Sequence, residues 1–161
     1  MKQIALSFAE EFTGIELSAD PSQLNRLWLA LLDNAIKYTP AGGRVKLRIS
    51  RDSHAAPYCE ISDNGIGIPP SDLAAIFERF YRAENARENT NVGSGLGLEI
   101  ARWIAEVHNA NIDVRSVLDA GSIFRVTFTE DAMPISQDKS SDRGTEVRAL
   151  SVSSRRSIQA V

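Results

Sequence analysis

The chain predicts an α+β fold: a two-layer sandwich with a mixed, mostly antiparallel sheet and three helices on one face. Three observations carry this. Strand-like segments alternate apolar and polar residues, as in Val45, Leu47 and Ile49 against Lys46, Arg48 and Ser50, so one sheet face is covered and the other is wet. Two longer segments repeat apolar residues at helical spacing. Strands come in hairpin-like runs with helices between them rather than in strict alternation. A length of 161 residues suits one domain with a real core and is too short for two comfortable ones.

Ile4, Leu6 and Phe8 alternate within residues 3–8, a short first strand. After a turn-like Phe12-Thr13-Gly14, Asp20 stands as an N-cap, Pro21 fits the first helical position and Gln23 completes a capping box. Leu24, Leu27, Trp28, Leu31 and Ala35 then form the apolar face of a helix that Pro40 and Gly42-Gly43 end. Two strands come next, at 45–50 and 58–62. Leu73, Ile76, Phe77 and Phe80 are spaced for a short second helix, and the polar run 82–92 reads as a mobile loop. Leu96, Ile100, Trp103 and Val107 mark a third helix. Ile112 and Val114, then Ile123, Phe124, Val126 and Phe128, mark two strands around the turn Leu118 to Ser122. The domain is expected to span 1–130. Beyond it, 131–161 is rich in serine and arginine without period and is expected to be a disordered tail.

A net charge of −3 gives no footprint for nucleic acid. One cysteine, Cys59, excludes a disulfide framework and fits a reducing compartment. The longest apolar run, 27–32, falls far below the roughly 20 residues of a membrane span, so no membrane contact is expected of these residues.

Polar residues cluster in an order that suggests chemistry. Asn34 borders the apolar face of the first helix, with Lys37 and Tyr38 one turn on. A carboxamide oxygen is a hard ligand suited to Mg²⁺ beside phosphates; taken alone, Asn34 also reads as a partner for neighbouring backbone. Asp63 ends a strand before Asn64-Gly65, which alone reads as a hairpin turn. The next residues, however, are Ile66-Gly67-Ile68-Pro69 rather than a strand. A carboxylate there can accept from an exocyclic amine, which adenine has at a position where guanine has a carbonyl, and such a site discriminates strongly. The run Gly93-Ser94-Gly95-Leu96-Gly97-Leu98 lacks the Walker and dinucleotide patterns. It still brings glycines to a helix N-terminus, where phosphate oxygens are well held; a flexible hinge is the other reading. Arg82 and Arg87 add cations between the two glycine loops.

The order of these pieces resembles the GHKL ATPase superfamily, and within it the sensor histidine kinases. Residues 31–43 (LLDNAIKYTPAGG) look like their N box, 63–69 (DNGIGIP) like the G1 box, 77–87 (FERFYRAENAR) like the F box and 93–102 (GSGLGLEIAR) like the G2 box. Residues 116–128 (SVLDAGSIFRVTF) are similar to the family's last segment, and the resemblance covers about 1–130. It implies the Bergerat ATP-binding fold with ATP and Mg²⁺ as cofactors. Asn34 would bind Mg²⁺, Lys37 would reach a phosphate and Tyr38 would border the base. Asp63, aided by Ser122, would accept from the adenine amine. Gly65, Gly67, Gly93, Gly95 and Gly97 would let backbone approach the nucleotide, with Leu96 and Leu98 in the same loop. Phe77 and Phe80 would anchor a lid hinge by packing, and Arg82 and Arg87 would meet phosphates when the lid is shut.

The resemblance further implies γ-phosphoryl donation to a histidine on a separate dimerisation domain, with a response regulator downstream, in a cytoplasmic piece of a kinase whose parent is expected to be anchored in the inner membrane. His54 and His108 lack the acidic helical context of an acceptor and read as surface or capping residues. Ala30 stands where relatives carry Asn or a general-base Glu, so hydrolysis of the gyrase kind is not expected. A nucleotide-binding regulatory module and a serine kinase of the anti-sigma type are the other functions compatible with this pattern.

Overall fold

The computed structural model describes residues 2–11, 15–89, 94–129 and 132. Of the tail expected over 131–161, only Ala132 is described, and it is buried against the core with its carbonyl accepting from Ser18 N–H at 2.9 Å; the rest of the tail and Gly93 lie outside the described residues. The elements run β1 (Ala5–Glu10), α1 (Pro21–Tyr38), β2 (Arg44–Arg51), β3 (Pro57–Asp63), α2 (Glu84–Asn89), α3 (Gly97–Val107), β4 (Ala110–Val117) and β5 (Gly121–Phe128). The strands form one sheet in the order β1-β2-β3-β5-β4. β1 pairs parallel with β2 and the remaining pairs are antiparallel, so the sheet is mixed and mostly antiparallel as the sequence predicts.

Register explains the two faces. Leu47 pairs Ile61, Ile61 pairs Phe124 and Phe124 pairs Val114, giving an apolar row beneath the helices. Ile49, Cys59, Val126 and Ile112 form the next row. Leu24, Leu27, Leu31 and Ala35 of α1, with Ala101, Ile104 and Ala105 of α3, close over this face. Leu27 and Leu31 are fully buried, and truncating either to alanine costs about 2–5 kcal/mol. The opposite face is polar: Arg125 meets Glu60 at 2.6 Å and lies 4.3 Å from the Tyr58 ring centroid. At the sheet edge, Leu6 and Phe8 share the helix-facing side with Val45 and Leu47 but stay exposed.

The start of α1 differs from the expected capping box in one respect. Asp20 caps as predicted, its Oδ1 accepting from Ser22 N–H at 2.8 Å and Gln23 N–H at 3.2 Å. The Asp20 N–H, which a capping box would give to the Gln23 side chain, instead donates to His108 Nε2 at 3.1 Å. Gln23 turns its amide to Asp20 Oδ2, leaving its Oε1 buried without a partner among the described residues. The other ring nitrogen of His108, Nδ1, lies 2.7 Å from the Ile104 carbonyl, which can only accept. The imidazole thus carries its proton on Nδ1 and ties the C-terminus of α3 to the cap of α1. Of the surface or capping roles expected for His108, it takes the capping one: it is buried, ends α3 and accepts the N–H of the α1 cap residue.

Residues 73–80 are not the expected helix but consecutive turns, and a short helix, α2, lies inside the segment expected to be loop. The apolar spacing is informative all the same, since Ile76 and Phe77 face the core. Helical bonding is diverted at both ends. Pro69 and Pro70 precede the segment, with Asp72 N–H bonding the Pro69 carbonyl. Phe80, at φ +64, gives its N–H to the Gly95 carbonyl at 3.1 Å. Two long helices, α1 and α3, thus cover the sheet, and α2 sits at the mouth of a cleft between them and the sheet end.

Candidate nucleotide site

The apolar rows end on a polar one. Ser62 pairs Ile123, so Asp63 stands level with Ser122, which in turn pairs Ser116. This end of the sheet, the inner side of α1 and the start of α3 line a cleft of about 200 Å³. Asn34, Lys37 and Tyr38 contribute from α1, Asp63 and Ser122 from the sheet, Gly67 from the loop after β3. Arg82, Gly95, Gly97 and Leu98 complete the set of predicted residues on its wall.

The loop after β3 shows why Asn64-Gly65 is no hairpin. Its backbone groups are claimed by several different segments. Gly65 N–H bonds Asp63 Oδ1 at 2.8 Å, and Ile66 N–H bonds the Tyr38 carbonyl at 3.1 Å. The Ile66 carbonyl accepts from Asp119 N–H at 2.9 Å, the Gly67 carbonyl from Asn85 Nδ2 at 3.0 Å, and Ile68 N–H reaches Ser116 Oγ at 2.8 Å. Glycine is required at two points. A Cβ on Gly65 would strike the Tyr38 carbonyl, and one on Gly67, at φ +67, would strike the Val117 carbonyl.

Burial pushes the Asp63 carboxyl up from its ordinary range, opposed by the Gly65 and Ser122 N–H groups that hold the charged form. The carboxylate is thus partly desolvated yet held by two backbone N–H groups, an acceptor on the cleft wall. The Asn34 carboxamide lines the same cleft from α1. A neutral hard oxygen of this kind fits Mg²⁺ held mainly by substrate phosphates; among the described residues no group of three or more acidic, His or Cys side chains offers a cation a cage. The Lys37 ammonium lies 4.8 Å from the Tyr38 ring centroid at the cleft edge. α3 begins without a side-chain cap, so its first N–H groups face the glycine loop, and a Cβ on Gly97 would meet open space. Ala30 lines the cleft with a methyl group one turn before Asn34.

Other predicted residues lie elsewhere. Gly65 is buried behind the wall and Leu96 precedes α3 half-buried. Phe77 packs on the core with Arg102 5.7 Å from its ring centroid. Phe80 does not anchor by packing: the residue is 65% exposed, and its contribution is the backbone bond to Gly95. Arg87 is exposed in the last turn of α2, away from the cleft wall. Two residues that sequence reasoning passed over matter here. Ser116 continues the inward phase of Ile112 and Val114, a signal available from alternation. Asn85 ties α2 to the Gly67 carbonyl from a segment that has no apolar period.

A family profile for the histidine kinase-, DNA gyrase B- and HSP90-like ATPases matches residues 19–132. The chain belongs to this ATPase family. Within it, the chain is 37% identical over 114 residues to the signal transduction histidine-protein kinase ArlS of Staphylococcus aureus, covering 71% of this chain and 25% of ArlS. It therefore spans about a quarter of that relative's length. The mycobacterial sensor histidine kinase MprB superposes with a TM-score of 0.70 at 32% identity, covering 78% of this chain and 82% of that structure. Full-length ShkA, solved in complex with AMPPNP, superposes at 0.65 with 26% identity over 78% of this chain and 25% of ShkA. The ATPase-family domain thus has close counterparts among histidine kinases, and its Bergerat fold matches theirs.

Proposed function

We propose that this domain binds Mg²⁺-ATP in the cleft and donates the γ-phosphoryl group to a histidine on a separate dimerisation domain, as the catalytic part of a two-component sensor kinase. The observation that carries this is the placement of Asp63, from the sheet, and Asn34, from α1, on the walls of one cleft, which Gly97 at the uncapped start of α3 also lines. Asp63 accepts from the adenine amine. Tyr38 borders the base, and Lys37 meets a phosphate. The free N–H groups of α3 and the Gly95-to-Leu98 backbone take phosphate oxygens. Arg82, beside the cleft, adds positive charge there. The Asn34 oxygen would hold Mg²⁺, which supplies charge neutralisation on the phosphates. These groups work by positioning and electrostatics, and none becomes covalently bonded. An acceptor imidazole attacks the γ-phosphorus and ADP leaves; the phosphohistidine then serves a response regulator. Ala30 leaves no carboxylate one turn before Asn34 to activate water, which favours transfer over hydrolysis. Among the described residues no helix is long and apolar enough to cross a membrane; the domain would work on the cytoplasmic side of its parent kinase.

The test is trans-phosphorylation. The chain, γ-labelled ATP and a purified dimerisation domain bearing the acceptor histidine should give an acid-labile phosphoprotein. Acid-stable label would point to a serine kinase. Nucleotide binding without transfer would point to a regulatory module.

A further inference from the structure

Ser116 does not line the cleft, yet it joins three of the segments that build the base end. Its hydroxyl oxygen accepts from Ile68 N–H at 2.8 Å and lies 2.9 Å from both the Gly121 carbonyl and Ser122 Oγ. A serine hydroxyl has one proton and two lone pairs. The Ile68 amide can only donate, so it takes one lone pair. The Gly121 carbonyl can only accept, so it takes the proton. Ser122 then meets the remaining lone pair and must donate its own proton to Ser116. Ser122, buried and on the cleft wall, is left with lone pairs alone to offer a ligand. Its neighbour Asp63 is likewise an acceptor, held from behind by the N–H groups of Gly65 and Ser122.

We propose that Ser116 is a specificity-determining positioning residue: by taking the Ser122 proton it makes the base end of the cleft acceptor-only, which selects a purine with an amine at position 6 over one with a carbonyl there. The inference rests on the ATP assignment. Without the Ser116 hydroxyl, Ser122 is released to turn its proton into the cleft. A donor beside the Asp63 carboxylate matches the carbonyl and N1–H edge of hypoxanthine, so discrimination falls.

Inosine triphosphate isolates the effect, because it differs from ATP only along that edge. Calorimetric affinities for both nucleotides should be measured on the full chain as wild type, Ser116→Ala and Ser116→Thr, with thermal melting of each. The expected result is a preference for ATP in the wild type that narrows about tenfold in Ser116→Ala, one neutral hydrogen bond's worth, and is restored in Ser116→Thr. An unchanged ratio in Ser116→Ala, or equal weakening of both nucleotides, overturns the proposal, as does a wild type that binds both alike. If Ser116→Ala does not fold, Ser116→Cys, of similar size but with a poorly bonding thiol, is read in the same way. A wild type that binds neither nucleotide removes the ATP assignment itself; a selective wild type with an equally selective Ser116→Ala removes only the role of Ser116.

Discussion

Asp63 Oδ1 accepts the N–H of Gly65 at 2.8 Å, so the carboxylate that closes β3 also folds the loop after it. One side chain shapes the loop and presents an acceptor to the cleft. Burial raises its pKa, and the sign of that shift sets a cost. The folded state binds the proton more tightly than the unfolded state does. The contribution of Asp63 to stability is therefore greatest below the ordinary carboxylate range and is lost as pH rises toward the folded-state pKa. Near neutrality the ionised group works against folding. Asp63→Asn should accordingly raise, or at least preserve, the thermal midpoint of the nucleotide-free protein, while weakening ATP binding by about 100-fold or more. Calorimetry and thermal melting of the same sample check both halves.

Gly67 offers a stricter geometric test. At φ +67, with the Val117 carbonyl where a Cβ would sit, no L side chain fits without shifting the β4–β5 turn. Gly67→Ala should cost about 1–3 kcal/mol in urea unfolding and weaken ATP binding as well, because the displaced loop carries Asp63's partner. Gly42, also at positive φ but with open space around its Cβ position, is the control: Gly42→Ala should cost less and spare nucleotide affinity.

The bond between Asp20 and His108 separates stability from function. His108→Ala removes the acceptor of a helix-cap N–H and the donor to the Ile104 carbonyl. The expected loss is about 1–3 kcal/mol by denaturant unfolding, with ATP affinity unchanged because the ring lies outside the cleft. A drop in affinity beyond the change in folded fraction would mean that α3 itself had shifted.

Cys59 reports on the sheet. Burial pushes its thiol up to about 12, so at pH values near 8 it is both protonated and inaccessible. Thiol reagents should leave the native protein unlabelled and modify it only as fast as the sheet opens. Saturating nucleotide should slow that labelling further.

Much of this molecule is legible in the sequence because its signals are local. α1 announces itself through Asp20, Pro21 and the spacing of Leu24, Leu27 and Leu31, and β2 through a clean two-residue period. The segment 73–80 keeps its apolar phase, but tertiary bonds override the helix: Gly95 claims the Phe80 N–H, a contact that spacing does not reveal. α2 escapes a sequence reading because its buried contacts are Ala86 and, just before the helix, Ala83, residues too small to raise a periodic signal. In the site, Asn34, Lys37, Asp63 and Gly97 carry chemistry in their residue types, and all four line the cleft. Phe80 does not pack as expected, because exposure depends on neighbours from distant sequence. His108 lies one turn beyond Ile104, on the buried side of α3, so its interior place is readable from helical phase.

The central claim is that one adenine nucleotide spans Asp63 and Asn34. A calorimetric titration of the wild-type chain and Asn34→Ala with ATP and GTP, each with and without Mg²⁺, tests it most directly. The expected result is binding of ATP at least about tenfold tighter than GTP, strengthened by Mg²⁺ in the wild type and insensitive to Mg²⁺ in Asn34→Ala. Equal affinity for the two nucleotides, or an undiminished Mg²⁺ effect in the variant, would contradict it.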